Sequence, residues 1–576
     1  MKWKIGWGLS NRCNMACKFC YSRKVRSEQV NFDNIFDCGV EFVKNNRDRI
    51  DSINFGTGEP TVEPMFFKFC KALKSVAPNV LLGITTNGNL AKAVQTDENL
   101  AVFIECIDDV DVSLDYGSPI EQDQSRNTQN AFEGVIETLK ICKKHHKNAT
   151  VVSVLHKNNC SIKNFEMMIR IARIYNASFR INILRPTVDF DYALPYQDLK
   201  NIFKKLIYTY QIESIADPLL AALIGAECKD GDPTARSSFR ILPNACITPS
   251  TYLLDSTWQV LRLDELRNVD DLSETECFKR IKAVQIPERC NNCKLKESCK
   301  GGVFDRRWLW YHDFNEIDPY CPTRFGEETD WKSDKISPIY SAEKKSFVHD
   351  GYLPTLIFNP TINERAFNKW DRIYTHSFEQ YGSQTIDPYV ATHSVLIPLV
   401  NANILDLGCG IGRNGMEFIK DNHVTFVDNS QVAIDYLIEK IFEDKYYRNY
   451  TIALQSISDY LLSEKDELFD FVIAMHVLSH GTFEEIKTSF IIPIYNKLKK
   501  DGVVVLTLPS INDKRFLEGN PDEKKSFALN YGAEAGIIHS FFDRKDIEIL
   551  LNDFSIIDIQ EKITDATAHW MITAQK

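Results

Sequence analysis

The sequence predicts an α/β protein with two sheet-and-helix regions and a cysteine-rich segment between them along the chain. Three observations predict it. From residue 3 to residue 184, short apolar or β-branched runs alternate with longer helical patterns, which argues for parallel strands joined by crossover helices, in an open sheet or a partial barrel. Closely spaced cysteines stand at Cys13, Cys17 and Cys20 and again at Cys290, Cys293, Cys299 and Cys321. Further on, an apolar strand runs into the glycine-rich turn Gly408-Cys409-Gly410-Ile411-Gly412, a form in which a strand end presents backbone to a nucleotide-like ligand.

With 576 residues, 44% of them hydrophobic and 26% charged, the chain has room for three or four globular domains at ~150 residues each. A net charge of -11 disfavours broad, charge-driven nucleic-acid binding, so no nucleic-acid partner is expected. No run approaches the ~18 apolar residues of a membrane span, and the N-terminus shows no secretory apolar region. A cytoplasmic protein without a membrane partner is therefore expected. Sixteen cysteines in such a chain point to metal binding or catalysis rather than a disulfide framework. Cys38, Cys70, Cys106, Cys142, Cys160 and Cys277 fit no metal spacing and are expected to be small buried hydrophobes.

The first predicted strand covers the apolar run from Trp3 to Leu9, and the loop after it carries Cys13, Cys17 and Cys20 with Phe19 before the last thiol. Three thiolates from one loop leave one iron of a four-iron cluster with an open position. Zinc sites favour paired C-x-x-C units instead. Further strands are predicted at 51–55, 80–86, 110–114, 151–155 and 179–184. Ligands collect at the carboxyl ends of such strands, where Gly56-Thr57-Gly58-Glu59-Pro60, Thr85-Thr86-Asn87-Gly88 and Val112-Ser113-Leu114-Asp115 stand. Beyond lies Gln122-Asp123-Gln124-Ser125-Arg126-Asn127, whose guanidinium suits a carboxylate.

Taken in order, these motifs resemble the radical S-adenosylmethionine (radical SAM) superfamily, with Thr57, Gln122 and Asn127 as departures. The resemblance implies a partial (β/α)6 barrel and a 4Fe-4S cluster on Cys13, Cys17 and Cys20, with SAM on the open iron. It also implies that Gly58 and Glu59 hold the SAM amino group, that Ser113 and Asp115 make polar contacts to SAM, and that Arg126 meets its carboxylate. One-electron reduction, from a donor such as flavodoxin or ferredoxin, would then split SAM into methionine and a hydrogen-abstracting 5'-deoxyadenosyl radical.

Alone, Cys290, Cys293, Cys299 and Cys321 could form a structural zinc site. Following the first region, they resemble the SPASM extension of radical SAM enzymes, which implies a second, auxiliary 4Fe-4S cluster on these four thiolates. An inner auxiliary cluster is not expected, because Ser250 and Val303 stand where that family places ligands. In the run from Arg306 to Tyr311, buried aromatics with solvated charges are expected rather than a binding surface.

Residues 326–351 are polar and read as a linker. After it, Asp406 precedes the Gly408, Gly410, Gly412 turn, and a second strand ends in Asp428. This compact G-x-G-x-G resembles motif I of class I SAM-dependent methyltransferases, which implies a Rossmann-like fold and a second SAM site on those five residues. Strands at 469–473 and 502–506 fit that fold. Methyl transfer proceeds by in-line attack, so positioning supplies much of the catalysis, and His480 and His539 are the candidate general bases.

The expected domains are 1–190 (barrel), 191–325 (auxiliary cluster), 326–351 (linker) and 352–576 (methyltransferase). The expected function is a bifunctional tailoring enzyme. It would couple hydrogen abstraction (oxidation, epimerisation or cross-linking) on a peptide or small molecule with methyl transfer to an oxygen or nitrogen nucleophile. The rival is a methyltransferase with an iron-sulfur module that does not cleave SAM. A third reading has both sites methylate one carbon.

Overall fold

The computed structural model describes every residue except 1, 24–31, 188–189, 227, 229–231, 332–353, 362–366, 377–384, 397, 519, 524, 531–533 and 566, and omits the side chains of 34 and 520–523. The chain divides into two compact units, Met1–Ile362 and Asn363–Lys576. Most of the expected linker lies outside the described residues.

In the first unit, β1 (Trp3–Trp7), β2 (Ile50–Phe55), β3 (Leu81–Thr86), β4 (Asp109–Ser113), β5 (Asn148–Leu155) and β6 (Ser178–Ile183) lie side by side in chain order, all parallel. Helices return the chain each time, among them Phe66–Val76, Asp97–Cys106 and Ile162–Ile174. Thr96 and Ser161 cap two of these, each side-chain oxygen accepting from the backbone N–H three residues on, which satisfies an otherwise orphaned donor. β6 is buried along its whole length, as a parallel strand covered on both faces must be.

The sheet continues with β7 (Gln211–Ile215), β8 (Ser238–Ile241), β9 (Ile247–Thr248) and β10 (Leu356–Asn359), in the order β7-β10-β6-β5-β4-β3-β2-β1-β8-β9. β10 inserts antiparallel between β6 and β7. That corrects the expected start of the second half at 352, because Leu356, Ile357 and Phe358 are buried in the first sheet. Three apolar side chains gain more from that slot than from a linker in water.

Between β9 and β10 the chain makes short turns of helix. The helix Phe304–Tyr311 reverses another expectation. Arg306 and Arg307 are fully buried, while Trp308 to Tyr311 are half-buried. Arg306 is paired at 2.5 Å with Asp217 and at 2.7 Å with Asp318, and Arg307 donates to the Phe314 carbonyl at 2.8 Å. Paired and hydrogen-bonded guanidiniums tolerate burial that lone ones do not.

In the second unit, β11 (Asn403–Leu407), β12 (His423–Asp428), β13 (Tyr450–Leu454), β14 (Phe469–Ala474) and β15 (Leu498–Pro509) are parallel. A small antiparallel sheet of β16 (Asn520–Glu523), β17 (Ser526–Ala528) and β18 (Ile538–Ser540) follows. β19 (Ser555–Ile563) and β20 (Ala568–Gln575) then complete the main sheet, in the order β13-β12-β11-β14-β15-β20-β19. β20 is antiparallel to both neighbours. Strand order reverses between β11 and β14, and a crevice opens at the carboxyl ends of strands at such a switch point. Leu405, Leu407, Val472, Val504, Leu506 and Ile572 form the core beneath it.

Candidate functional site

Cys13, Cys17 and Cys20 line one cavity of about 170 Å³ at the carboxyl ends of the first unit's strands, with Gly58, Ser113 and Arg126. The Arg126 guanidinium lies 3.8 Å from the Cys17 sulfur and over the Phe19 ring. Burial pushes the Cys17 thiol up, and Arg126 beside it pulls the other way. A cation there suits a loop that has to hold several thiolates, since an unpaired buried anion is costly.

Behind this wall stand the residues that shape it. Arg126 is paired at 2.5 Å with Asp115, which is fully buried. Asp115 in turn accepts from the Val154 N–H at 2.9 Å. Gln122 accepts from the N–H groups of Asp115 and Tyr116, and Asn127 closes the helix Pro119–Arg126 in the left-handed region. Glu59 is buried and is not among the residues that line the cavity. Its carboxylate accepts from the Thr61 N–H and hydroxyl, the Thr86 hydroxyl and the Asn87 N–H, tying its loop to β3. Thr57 has φ of 72°, an uncommon conformation for a β-branched residue. Its hydroxyl is held by Arg240 and Tyr21.

Cys290, Cys293, Cys299 and Cys321 come together on turns. Burial pushes the Cys290 thiol up, and the nearby Cys321 and Cys293 add to it. Among the described residues, one trio of His, Cys, Asp or Glu side chains brings its ligand atoms within 4.8 Å of one another, and it contains no cysteine. A single zinc ion would draw its thiolates closer than a cluster that gives each thiolate its own iron. Where inner-cluster ligands would stand, Ser250 donates to Asp305 at 3.2 Å, Asp305 also accepts from Arg185 at 2.9 Å, and Val303 is core.

The second unit has a cavity of about 720 Å³ at its switch point, lined by Asp406, Gly408, Asp428, His480 and His539 among others. Gly408, Gly410 and Gly412 all have positive φ, at 60°, 54° and 81°. A Cβ on Gly408 would collide with Val477, and one on Gly410 with the Tyr374 hydroxyl. Asp428 accepts from the Gly410 and Ser430 N–H groups, both at 2.8 Å, which pins the turn to the end of β12. Burial pushes the Asp406 carboxyl up to about 7, against the pull of the Gly415 N–H. Burial, and next the charge His539 would carry, brings His480 down to about 4.

The model of the radical SAM superfamily matches residues 7–167, and the model of a methyltransferase domain matches residues 404–502. The chain carries a radical SAM domain and a methyltransferase domain. It is an enzyme. The radical SAM half is similar to the cysteine-type anaerobic sulfatase-maturating enzyme of Clostridium perfringens, 24% identical over 350 residues that span 54% of this chain and 91% of that one. It is also similar to mycofactocin maturase MftC of Mycobacterium tuberculosis, 26% identical over 186 residues, 32% of this chain and 45% of that one. Among solved structures, native anSMEcpe with bound AdoMet and a peptide is 18% identical over 56% of this chain and 95% of that one, with a TM-score of 0.45. A SAM-dependent methyltransferase of Methanosarcina mazei is 23% identical over 33% of this chain and 98% of that one, with a TM-score of 0.29. Radical SAM membership implies a 4Fe-4S cluster and SAM in this half, and three thiols around one cavity with a cation beside them fit such a group. No described helix is long and apolar enough to cross a membrane.

Within the radical SAM domain, Gly58, Ser113 and Arg126 line the cavity, whereas Glu59 and Asp115 brace it from behind. In the methyltransferase domain, Asp406, Gly408, Asp428, His480 and His539 line one cavity, and Gly410 and Gly412 shape the turn beneath it. The strand-end motif Thr85-Thr86-Asn87-Gly88 contained Asn87 without giving it a role, and its amide reaches to 3.7 Å from the Cys13 sulfur; no motif revealed Arg240, which arrives on β8. The motifs also missed His476, Arg515 and Glu534 in the second cavity, and gave His569 no role there. Of these, His476 had a signal, its place just past the end of β14 where ligands collect.

Proposed function

We propose that this protein is a bifunctional tailoring enzyme with two SAM sites, one for radical hydrogen abstraction and one for methyl transfer to an oxygen or nitrogen nucleophile. The observation that carries the reading is that each compact unit has its own cavity at its own strand ends, each lined by its own SAM motif. Cys13, Cys17 and Cys20 would hold a 4Fe-4S cluster that supplies the electron for SAM cleavage. Arg126 offers SAM a fork of donors, and the Asp115 pair holds that fork still. Cys290, Cys293, Cys299 and Cys321 would hold the one auxiliary cluster, with the Ser250–Asp305–Arg185 network in place of an inner one.

A peptide is the favoured substrate, since the similar proteins are named as maturases and a sulfatase is a polypeptide. A second cavity of about 600 Å³ shares Tyr21 and Tyr252 with the cluster cavity. Among its described lining, Asp255 is the one acid and neither Lys nor Arg occurs, which suits a neutral, hydrogen-bonding segment. Net oxidation, epimerisation and cross-linking share the same first abstraction. The methyl acceptor would enter the second unit's cavity, where His480 stays a neutral imidazole at physiological pH.

Labelled SAM tests this reading. The reduced, cluster-loaded enzyme should hold about eight irons per chain, as two four-iron clusters require, and should form both 5'-deoxyadenosine and S-adenosylhomocysteine. Cys17→Ala should abolish the first product and Gly408→Ala the second. Loss of both products in Cys17→Ala would refute independent sites. Loaded clusters with no 5'-deoxyadenosine in the presence of substrate would favour the rival, non-cleaving module.

A further inference from the structure

His480, Glu534 and His539 are the one described trio whose ligand atoms lie within 4.8 Å of one another. They come from segments that the fold locks together. His480 and His539 face each other across an antiparallel bridge, flanked by the bonds Gly481 N–H to Ile538 carbonyl and Ser540 N–H to Ser479 carbonyl, both 3.1 Å. Their rings sit 4.9 Å apart at 89°. Glu534 is held by a turn in which its carbonyl accepts from the Ile537 N–H at 3.0 Å.

His539, the buried member of the trio, lacks the hydrogen bonds expected of a buried side chain. His539 is 1% exposed, and both its ring nitrogens are buried without an aligned hydrogen bond. Its Nε2 lies 3.3 Å from the Glu534 carboxylate, close but poorly directed. Buried polar atoms in this state call for an explanation, an ion among them. Arg515 approaches Glu534 at 3.8 Å, but it is held by Asp513 at 2.8 and 3.0 Å. The Glu534 charge therefore keeps capacity for a second cation.

We propose that His480, Glu534 and His539 bind one divalent first-row transition metal ion, of the zinc class, whose open coordination position faces the methyl acceptor. Two imidazoles and a carboxylate form a three-ligand set of the kind that leaves such a position free. All three residues line the 720 Å³ cavity together with Gly408 and Asp428, so the ion shares its space with the methyl donor. An acceptor hydroxyl bound there loses its proton to solvent more readily. Its lone pair then forms the bond to the methyl carbon, and the carbon–sulfur bond electrons return to sulfur. This last role rests on the methyl-transfer reading above; the metal site itself does not.

The test is metal stoichiometry, read independently of turnover. Full-length enzyme with its clusters loaded is dialysed against zinc and analysed for zinc and iron per chain. One zinc is expected in the wild type, with at least a tenfold weaker affinity in His480→Ala and in the near-isosteric Glu534→Gln. Iron content and the far-ultraviolet circular dichroism spectrum should be unchanged in both variants, which shows that the fold survives. Equal zinc affinity in wild type and both variants overturns the proposal, as does zinc that disappears only with Cys13→Ala or Cys290→Ala. If zinc binds as expected and no methyl transfer occurs, the site stands and the methyl-transfer reading fails.

Discussion

Arg126→Gln strands a buried carboxylate, and the cost follows from the geometry. Asp115 is fully buried and lies 2.5 Å from Arg126. At an effective dielectric near 20, that separation gives an attraction of ~7 kcal/mol, part of which the desolvation of both charges offsets. Removing one partner of such a pair costs ~3–5 kcal/mol. Amide exchange at the β4–β5 ladder reads this directly, because the Val154 N–H donates to Asp115. At 1.4 kcal/mol per decade, the amides there should exchange about two to four decades faster in the single variant. The double variant Arg126→Gln/Asp115→Asn should recover most of the protection, since both charges are gone, while 5'-deoxyadenosine formation stays lost. Exchange within threefold of wild type in Arg126→Gln, or a double variant as unprotected as the single, would refute the pairing argument.

Glu59→Gln replaces an acceptor that takes four donors and should destabilise the first unit by ~1–3 kcal/mol, seen as a lower melting temperature, with SAM still bound by the cavity lining. For Asp406, the folded-state value of about 7 lies above the unfolded value near 4. Between those values the native state holds a proton that the unfolded state lacks, so stability of the second unit should fall as pH rises from about 4 to about 7 and level off above. Asp406→Asn should lack that decline in denaturant melts followed across pH. Gly410→Ala should weaken S-adenosylhomocysteine binding by about tenfold or more, because a left-handed alanine costs ~1–2 kcal/mol and its Cβ meets the Tyr374 hydroxyl. Adding Tyr374→Phe should restore part of the affinity in calorimetry.

Much of the fold was legible because its signals are local. Parallel strands buried on both faces read as apolar runs, and the predicted runs at 51–55, 110–114 and 179–184 fall within a residue or two of β2, β4 and β6. β10 was not legible. Four residues past a polar stretch carry no mark of the sheet they will join, and only the gap between β6 and β7 decides it. The burial of Arg306 was hidden for the same reason, since its partner Asp217 is 89 residues away.

The candidate sites divide along the same line. Cysteine spacing, the glycines of the 408–412 turn and the acid ending β12 are fixed by short-range geometry, so the sequence by itself determined the strand-end turns of both units and two groups of thiols. Tertiary structure alone decided that Glu59 and Asp115 support the first cavity from behind while Arg126 lines it, because one strand end offers both a front and a back. It alone brought Glu534 to His480 and His539, since convergence of side chains from separate loops depends on how β14 and β18 are placed, which no local pattern encodes.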